Sequence, residues 1–313
     1  MILRLSTAAA MLVCLTVCGP AYAEPPKTKL MARQHFDIEA ADPLLAKATE
    51  IILIESRLEA QMILGDTVDS RISVYIAESR EQFDKLTRGG LPDWGVGCAI
   101  PTQNMIVIIS PTAAEYQQPF EEIVRHEWAH IALRHRLGSS YLPRFLDEGF
   151  AMHFAHQWNN SFAVTLAKAQ VFGSIFTLRS IDRVNFFNAS QAQIAYALSY
   201  QAVVYFLSEY GSESFQILLD GLRDGIPLDR AFEDAIGASF STFQKEYSQH
   251  IESNFNWLLI LSDMWLIWIG LALLIVVGYL LKKKRARDTY KRWEEEEKYE
   301  STDFDYEEGD PWD

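Results

Sequence analysis

The sequence predicts an α+β protein: a small N-terminal mixed sheet with helices, then a helical lobe, and at the end one C-terminal transmembrane helix. Three observations predict it. Runs with strand character fall only in the first part of the exported region, and helical periodicity takes over from Gln118 onward. An uninterrupted apolar stretch then runs straight into a basic cluster near the C-terminus. Strands first and helices after, without alternation, is the order of an α+β chain rather than of a doubly wound one.

The elements follow in order. Asp42 to Met62 carries Leu44, Leu45, Ala48, Ile51, Ile52, Ile54 and Leu58 at helical spacing, and Gly65 stops it. Ile72-Ser73-Val74-Tyr75-Ile76 alternates as a strand does. Ser79 to Leu86 reads as a short helix with Ser79 as its N-cap, and Gly89-Gly90-Leu91-Pro92 reads as a turn. Met105 to Ile109, closed by Ser110-Pro111, reads as a second strand and as a candidate sheet edge. Helices are expected at Phe120 to Arg136, Pro143 to His156, Ser190 to Tyr210, Ser212 to Leu222 and Asp229 to Glu252. No internal repeat is present.

The two ends carry topological signals. Arg4, the apolar run Ala8 to Val17 and the small residues of Ala21-Tyr22-Ala23 form an export signal, so the mature chain is expected to begin near Glu24. Lipidation at Cys18 fits less well, because Thr16-Val17 are not the small residues that precede a lipidated cysteine. From Trp257 to Leu281 there is one acid, Asp263, and no base; a helix needs roughly 20 apolar residues to cross the hydrocarbon. Trp257, Trp265 and Trp268 suit the outer headgroup boundary. Lys282, Lys283, Lys284, Arg285 and Arg287 place the far side in the cytoplasm. The expected plan is therefore a signal over residues 1–23, an α+β part over 24–115, a helical part over 116–256, the span over 257–281 and a basic-then-acidic tail over 282–313. The expected location is a bacterial cytoplasmic (inner) membrane, single-pass, with the folded part outside and the C-terminus within. The tail, acidic from Glu294 to Glu297 and onward, reads as mostly disordered. Its Tyr299, Phe304, Tyr306 and Trp312 could dock a cytoplasmic partner.

Composition narrows the chemistry. The whole chain carries a formal net charge of −14. Its exported part is also net acidic and has no basic run, which argues against nucleic acid as a partner. About 230 residues remain once signal, span and tail are set aside, enough for one large or two small cores. Of the three cysteines, Cys14 and Cys18 lie in the signal, so Cys98 has no partner for a disulfide in the mature chain.

The chemistry-bearing string is His126-Glu127-Trp128-Ala129-His130, set among Ile123, Val124, Ile131, Ala132 and Leu133. Two histidines four apart on a helix leave one face about 40° apart, close enough for both imidazoles to reach one ion. Glu127 then points beside the metal, where it can take a proton from a metal-activated water and return it to a leaving amine. A second helix opens at Leu142-Pro143-Arg144-Phe145-Leu146-Asp147-Glu148-Gly149-Phe150-Ala151, with Glu148 in its early turns and Gly149 allowing close approach.

His126-Glu127-x-x-His130, seventeen further residues, then Glu148-Gly149 within Leu-Asp-Glu-Gly-Phe-Ala, resembles the gluzincin metallopeptidases of the thermolysin and aminopeptidase N type. It is more closely similar to the small bacterial peptidase MA-like domains. The resemblance covers roughly Ile72 to Glu252 and implies a zincin-like fold and a Zn2+ cofactor. It implies His126, His130 and Glu148 as the zinc ligands and Glu127 as general base. Asp147 departs from the asparagine usual in aminopeptidases at that position. A metzincin would need glycine at 133 and histidine at 136, where Leu133 and Arg136 stand. His153 and His156 are alternative third ligands, each more simply read as an ordinary residue of the second helix.

Oxyanion stabilisation commonly involves a phenol or imidazole. Tyr196 and Tyr200 stand four apart on one helix face, and the distance from Tyr196 to Gly211 matches the resembled group, so Tyr196 is the choice and Tyr200 the alternative. Gly95 to Ile100 holds no acid to capture a free N-terminus, which favours an endopeptidase. The expectation is a membrane-anchored zinc metallopeptidase acting on peptide or protein substrates. Its rivals are a non-catalytic zincin-fold binding or assembly factor at the membrane surface and an anchored protein whose motif is accidental.

Overall fold

A computed structural model describes residues 35–89, 95–113, 118–186, 188–257, 260 and 265–299. The expected signal, part of the turn after Thr87, residues 258, 259 and 261–264, and the tail from residue 300 lie outside the described residues. The described chain divides into two compact units, residues 1–140 with 154–157 and residues 141–153 with 158–313.

The first unit holds a four-stranded sheet of β1 (Phe36–Glu39), β2 (Ile72–Ala77), β3 (Gly97–Ile100) and β4 (Met105–Ile109), in the order β1-β2-β4-β3. β1 and β4 run parallel to β2, and β3 runs antiparallel to β4, so the sheet is mixed as expected. One expectation is corrected: Met105–Ile109 is not an edge. It pairs with β2 on one side, Val74 opposite Ile106, and with β3 on the other, Cys98 opposite Val107. Ile106, Val107, Ile108 and Ile109 are all buried, so side chains on both faces are covered and the strand reads as a continuous apolar run. The edges are β1 and β3, neither of which was foreseen.

Helix α1 (Pro43–Leu64) is capped by Asp42, whose Oδ1 accepts from Leu44 N, and closed by Gly65 in the left-handed region at φ 68°. α2 (Arg80–Thr87) is capped by Ser79. α3 (Phe120–Leu137) packs on α1, β3 and β4. Its buried face is Ile123, Val124, Trp128, Ala129, Ile131, Ala132 and Leu133, with Trp128 edge-on to Phe36 at 5.4 Å between ring centroids. Arg125 is a buried charge on the same helix. It donates to Phe154 O from Nε and from an Nη, and pairs with Glu59.

The second unit is helical: α4 (Arg144–Phe154), α5 (Asn160–Val171), a 3-10 segment (Leu178–Phe186), α6 (Ala189–Arg223), α7 (Leu228–Ile236), α8 (Phe240–Asn254) and α9 (Trp265–Tyr299). α6 unites the two helices expected on either side of Gly211, whose φ of 79° and ψ of 173° mark a kink between them. The single helix expected over 229–252 is two, because Gly237 adopts the left-handed conformation and Ser239 caps a new start. α5 was not foreseen; Asn159 starts it by accepting from the backbone of Ser161 and Phe162. An aromatic cluster of Phe206, Phe215, Phe232, Phe240 and Phe243 forms the core.

The acidic tail also differs from expectation: helix continues to Tyr299, through the basic cluster and the run of glutamates. Among the described residues, no helix is long and apolar enough to cross a membrane. The described apolar side chains of α9 run from Ile267 to Leu281, about 22 Å of helix against roughly 30 Å of hydrocarbon.

Candidate metal centre

The rise and twist of α3 bring His126 and His130 to one face. Their rings meet edge to face at 4.8 Å between centroids, and the two Nε2 atoms are 3.1 Å apart. Two ligands held at about 2.0–2.1 Å from one tetrahedral ion would stand roughly 3.4 Å apart, so the pair is close to ligand spacing.

The tautomer of His126 follows from a residue that sequence reasoning missed. Gln157, buried, directs its amide nitrogen to Gln118 Oε1 at 3.4 Å and to Glu122 O at 3.3 Å. Its Oε1 is thereby turned to His126 Nδ1, 2.8 Å away. A carbonyl oxygen only accepts, so Nδ1 carries the hydrogen and Nε2 presents its lone pair. This is how an outer partner fixes a metal-binding imidazole. No spacing in the sequence ties Gln157 to His126, since they are brought together across 31 positions.

Glu127 is buried beside β3. A Cβ added to Gly97 would lie 2.5 Å from Glu127 Oε1 and 2.9 Å from its Cγ, so the strand leaves room for this carboxylate only because residue 97 has no side chain. On the same strand, burial and, secondarily, the Glu127 charge push the Cys98 thiol up to about 11, leaving it protonated and unreactive near neutral pH. Among the described residues Cys98 is a free thiol.

Glu148 lies on α4 and is buried, with Oε1 2.8 Å from an Nη of Arg144 one helical turn earlier. Arg144 also hydrogen-bonds Tyr196 on α6. Burial alone would lower its pKa, but Glu148, then Tyr196 and Asp147, carry it above the ordinary value. The backbone of Arg144 donates to Asp182 Oδ1 at 2.8 Å. The neighbour of Glu148 is constrained too: a Cβ on Gly149 would fall 2.2 Å from Ser199 O, a backbone atom that cannot yield. Gly149 thus does what its position suggested and lets α4 approach α6.

His126, His130 and Glu148 form a group that could hold a metal ion: each offers one ligand atom, and those atoms lie within 4.8 Å of one another. The alternatives fare less well. His153 stands edge-on to Tyr200 at 6.1 Å, and His156 lies past the end of α4, at φ 56°, with Nε2 3.4 Å from Arg125. Tyr200, the alternative phenol, stacks on Trp158 at 4.8 Å, and burial raises its pKa.

Two imidazoles and a carboxylate, carried on helices of an α+β framework, are a donor set that metallopeptidase-type hydrolases use. The model of the peptidase MA superfamily matches residues 56–253, well over half of the sequence, and the chain belongs to that superfamily. No curated protein matches it.

Proposed function

We propose that the chain is a membrane-anchored zinc endopeptidase that hydrolyses peptide bonds outside the cytoplasm. The observation that carries this reading is the convergence of His126, His130 and Glu148 in a member of a metallopeptidase superfamily. The donor set fits zinc: neutral imidazole nitrogens and a carboxylate, with the His126 tautomer fixed by Gln157. Zinc, when bound, supplies Lewis acidity that acidifies water and polarises a carbonyl.

The remaining work falls to side chains. Glu127 takes the proton of the attacking water on a carboxylate oxygen and returns it to the leaving nitrogen. Its burial beside Gly97 restricts where that oxygen can point. Arg144 holds the Glu148 carboxylate and so orients it as a ligand. A guanidinium only donates, so its bond to Tyr196 uses the phenol oxygen as acceptor and leaves the phenol hydrogen to be given to the developing oxyanion. Tyr196 is therefore the preferred phenol over Tyr200. β3 ends the sheet and offers main-chain groups to an extended peptide, and its Gly97–Ile100 residues carry no acid to anchor a substrate amine. Internal bonds of an extended substrate are the targets this supports.

Glu127→Gln tests the reading. Hydrolysis of a peptide library should fall about a hundredfold or more while bound zinc is unchanged. Wild-type rates in that variant would remove Glu127 from the mechanism, and an inert wild-type chain that still binds zinc would make it a scaffold.

The anchor rests on α9, whose side chains from Ile267 to Leu281 are exposed and apolar around the helix and are followed at once by Lys282 to Arg285. With the apolar residues that precede it in the sequence, the apolar run reaches the length of a span. A chain ending at residue 256 should move from the membrane to the soluble fraction on cell fractionation; persistence in the membrane would contradict the anchor.

A further inference from the structure

α1 carries large apolar residues on its outer face as well as on its buried one. The stripe it buries is Thr49, Leu53, Ser56, Ala60 and Leu64, with Thr49 and Ser56 wholly inaccessible. Thr49 turns its hydroxyl back to Leu45 O at 2.8 Å, and Ser56 Oγ has no hydrogen-bond partner among the described residues. The opposite face shows Leu44, Ile51, Leu58 and Met62 to solvent, Leu44 at 79% and Met62 at 73% exposure. The buried stripe mixes small residues with Leu53 and Leu64, and four further large apolar residues are left outside. Burying a leucine or isoleucine is worth about 1.5–3 kcal/mol, so a helix that hides serine and shows leucine is built for a second partner on its outer face.

We propose that this partner is a second copy of the chain, docked antiparallel on α1 about a two-fold axis at Ile51. The spacing of the face is self-complementary. Leu44 and Leu58 are each seven residues from Ile51, so an axis there sets Ile51 against its own counterpart and Leu44 against Leu58 of the other copy. The same register sets Lys47 beside Glu55, both exposed and each four residues from the axis. A parallel pairing would instead oppose lysine to lysine and glutamate to glutamate. Opposite charges in one register and like charges in the other favour the antiparallel arrangement.

The test is cross-linking and sedimentation of the full chain in detergent. Ile51→Cys should be joined to itself by a short bis-maleimide. Leu44→Cys should not, because the two copies of that position would be about 21 Å apart along antiparallel helices. A mixture of Leu44→Cys and Leu58→Cys chains should cross-link, and the parent chain, with Cys98 alone in its mature part, should not. Ile51→Arg should weaken the dimer at least tenfold. Lys47→Glu should weaken it too, and Lys47→Glu/Glu55→Lys should restore it. A chain that stays monomeric at all concentrations, a dimer indifferent to Ile51→Arg, or self-cross-linking of Leu44→Cys would each overturn the proposal.

Discussion

At the scale of single residues, the site is organised by small or polar neighbours as much as by its ligands. Gln157 is the clearest case. Its amide is locked by Gln118 and Glu122, and through its oxygen it sets the hydrogen of His126 on Nδ1. Gln157→Leu keeps the bulk and removes the acceptor that His126 Nδ1–H uses. Zinc affinity should fall 10–100-fold by competition with a chelating dye, with the fold unchanged by circular dichroism. An unchanged affinity would show that the imidazole is oriented by other means. The His126, Glu127 and His130 triplet was legible because helix geometry makes a four-residue spacing meaningful in sequence alone. Glu148 was legible through resemblance. Gln157 and Gly97 were not, because their importance lies in contacts across 31 and 30 positions that no local pattern encodes.

At the scale of elements, helix ends were the most legible features, since caps are local chemistry: Asp42, Ser79 and Gly65 sit where their side chains or backbone freedom are needed. Strand placement was less so. Met105–Ile109 was correctly read as a strand, yet its lack of alternation is the mark of an interior strand rather than an edge, and the four-residue β1 and β3 are too short to show a period. The glutamates after the basic cluster were read as disordered because like charges repel. Lys and Arg precede those glutamates by four residues, as in Lys291 and Glu295 or Arg292 and Glu296, and such pairs help a polar sequence stay helical. The approach of α4 to α6 at Gly149 makes a sharp prediction. Gly149→Ala forces a methyl into Ser199 O and should cost about 1–3 kcal/mol in chemical denaturation, despite the better helix propensity of alanine. A change within about 0.5 kcal/mol would mean that the helices can part without penalty.

At the scale of the whole molecule, the family and the donor set point to the same class of chemistry. The superfamily match covers residues 56–253, and the His-His-Glu group lies within that range. The proposed export signal lies outside the described residues, and the proposed direction across the membrane rests on the sequence. Metal binding is the claim on which catalysis depends. X-ray absorption at the zinc edge on the purified full chain measures it directly. One zinc per chain is expected, bound by two imidazole nitrogens and carboxylate oxygen at about 2.0–2.2 Å, weakened by Glu148→Ala and lost in His126→Ala/His130→Ala. A chain that takes up no stoichiometric metal, or one that keeps it after both histidines are removed, would contradict the account.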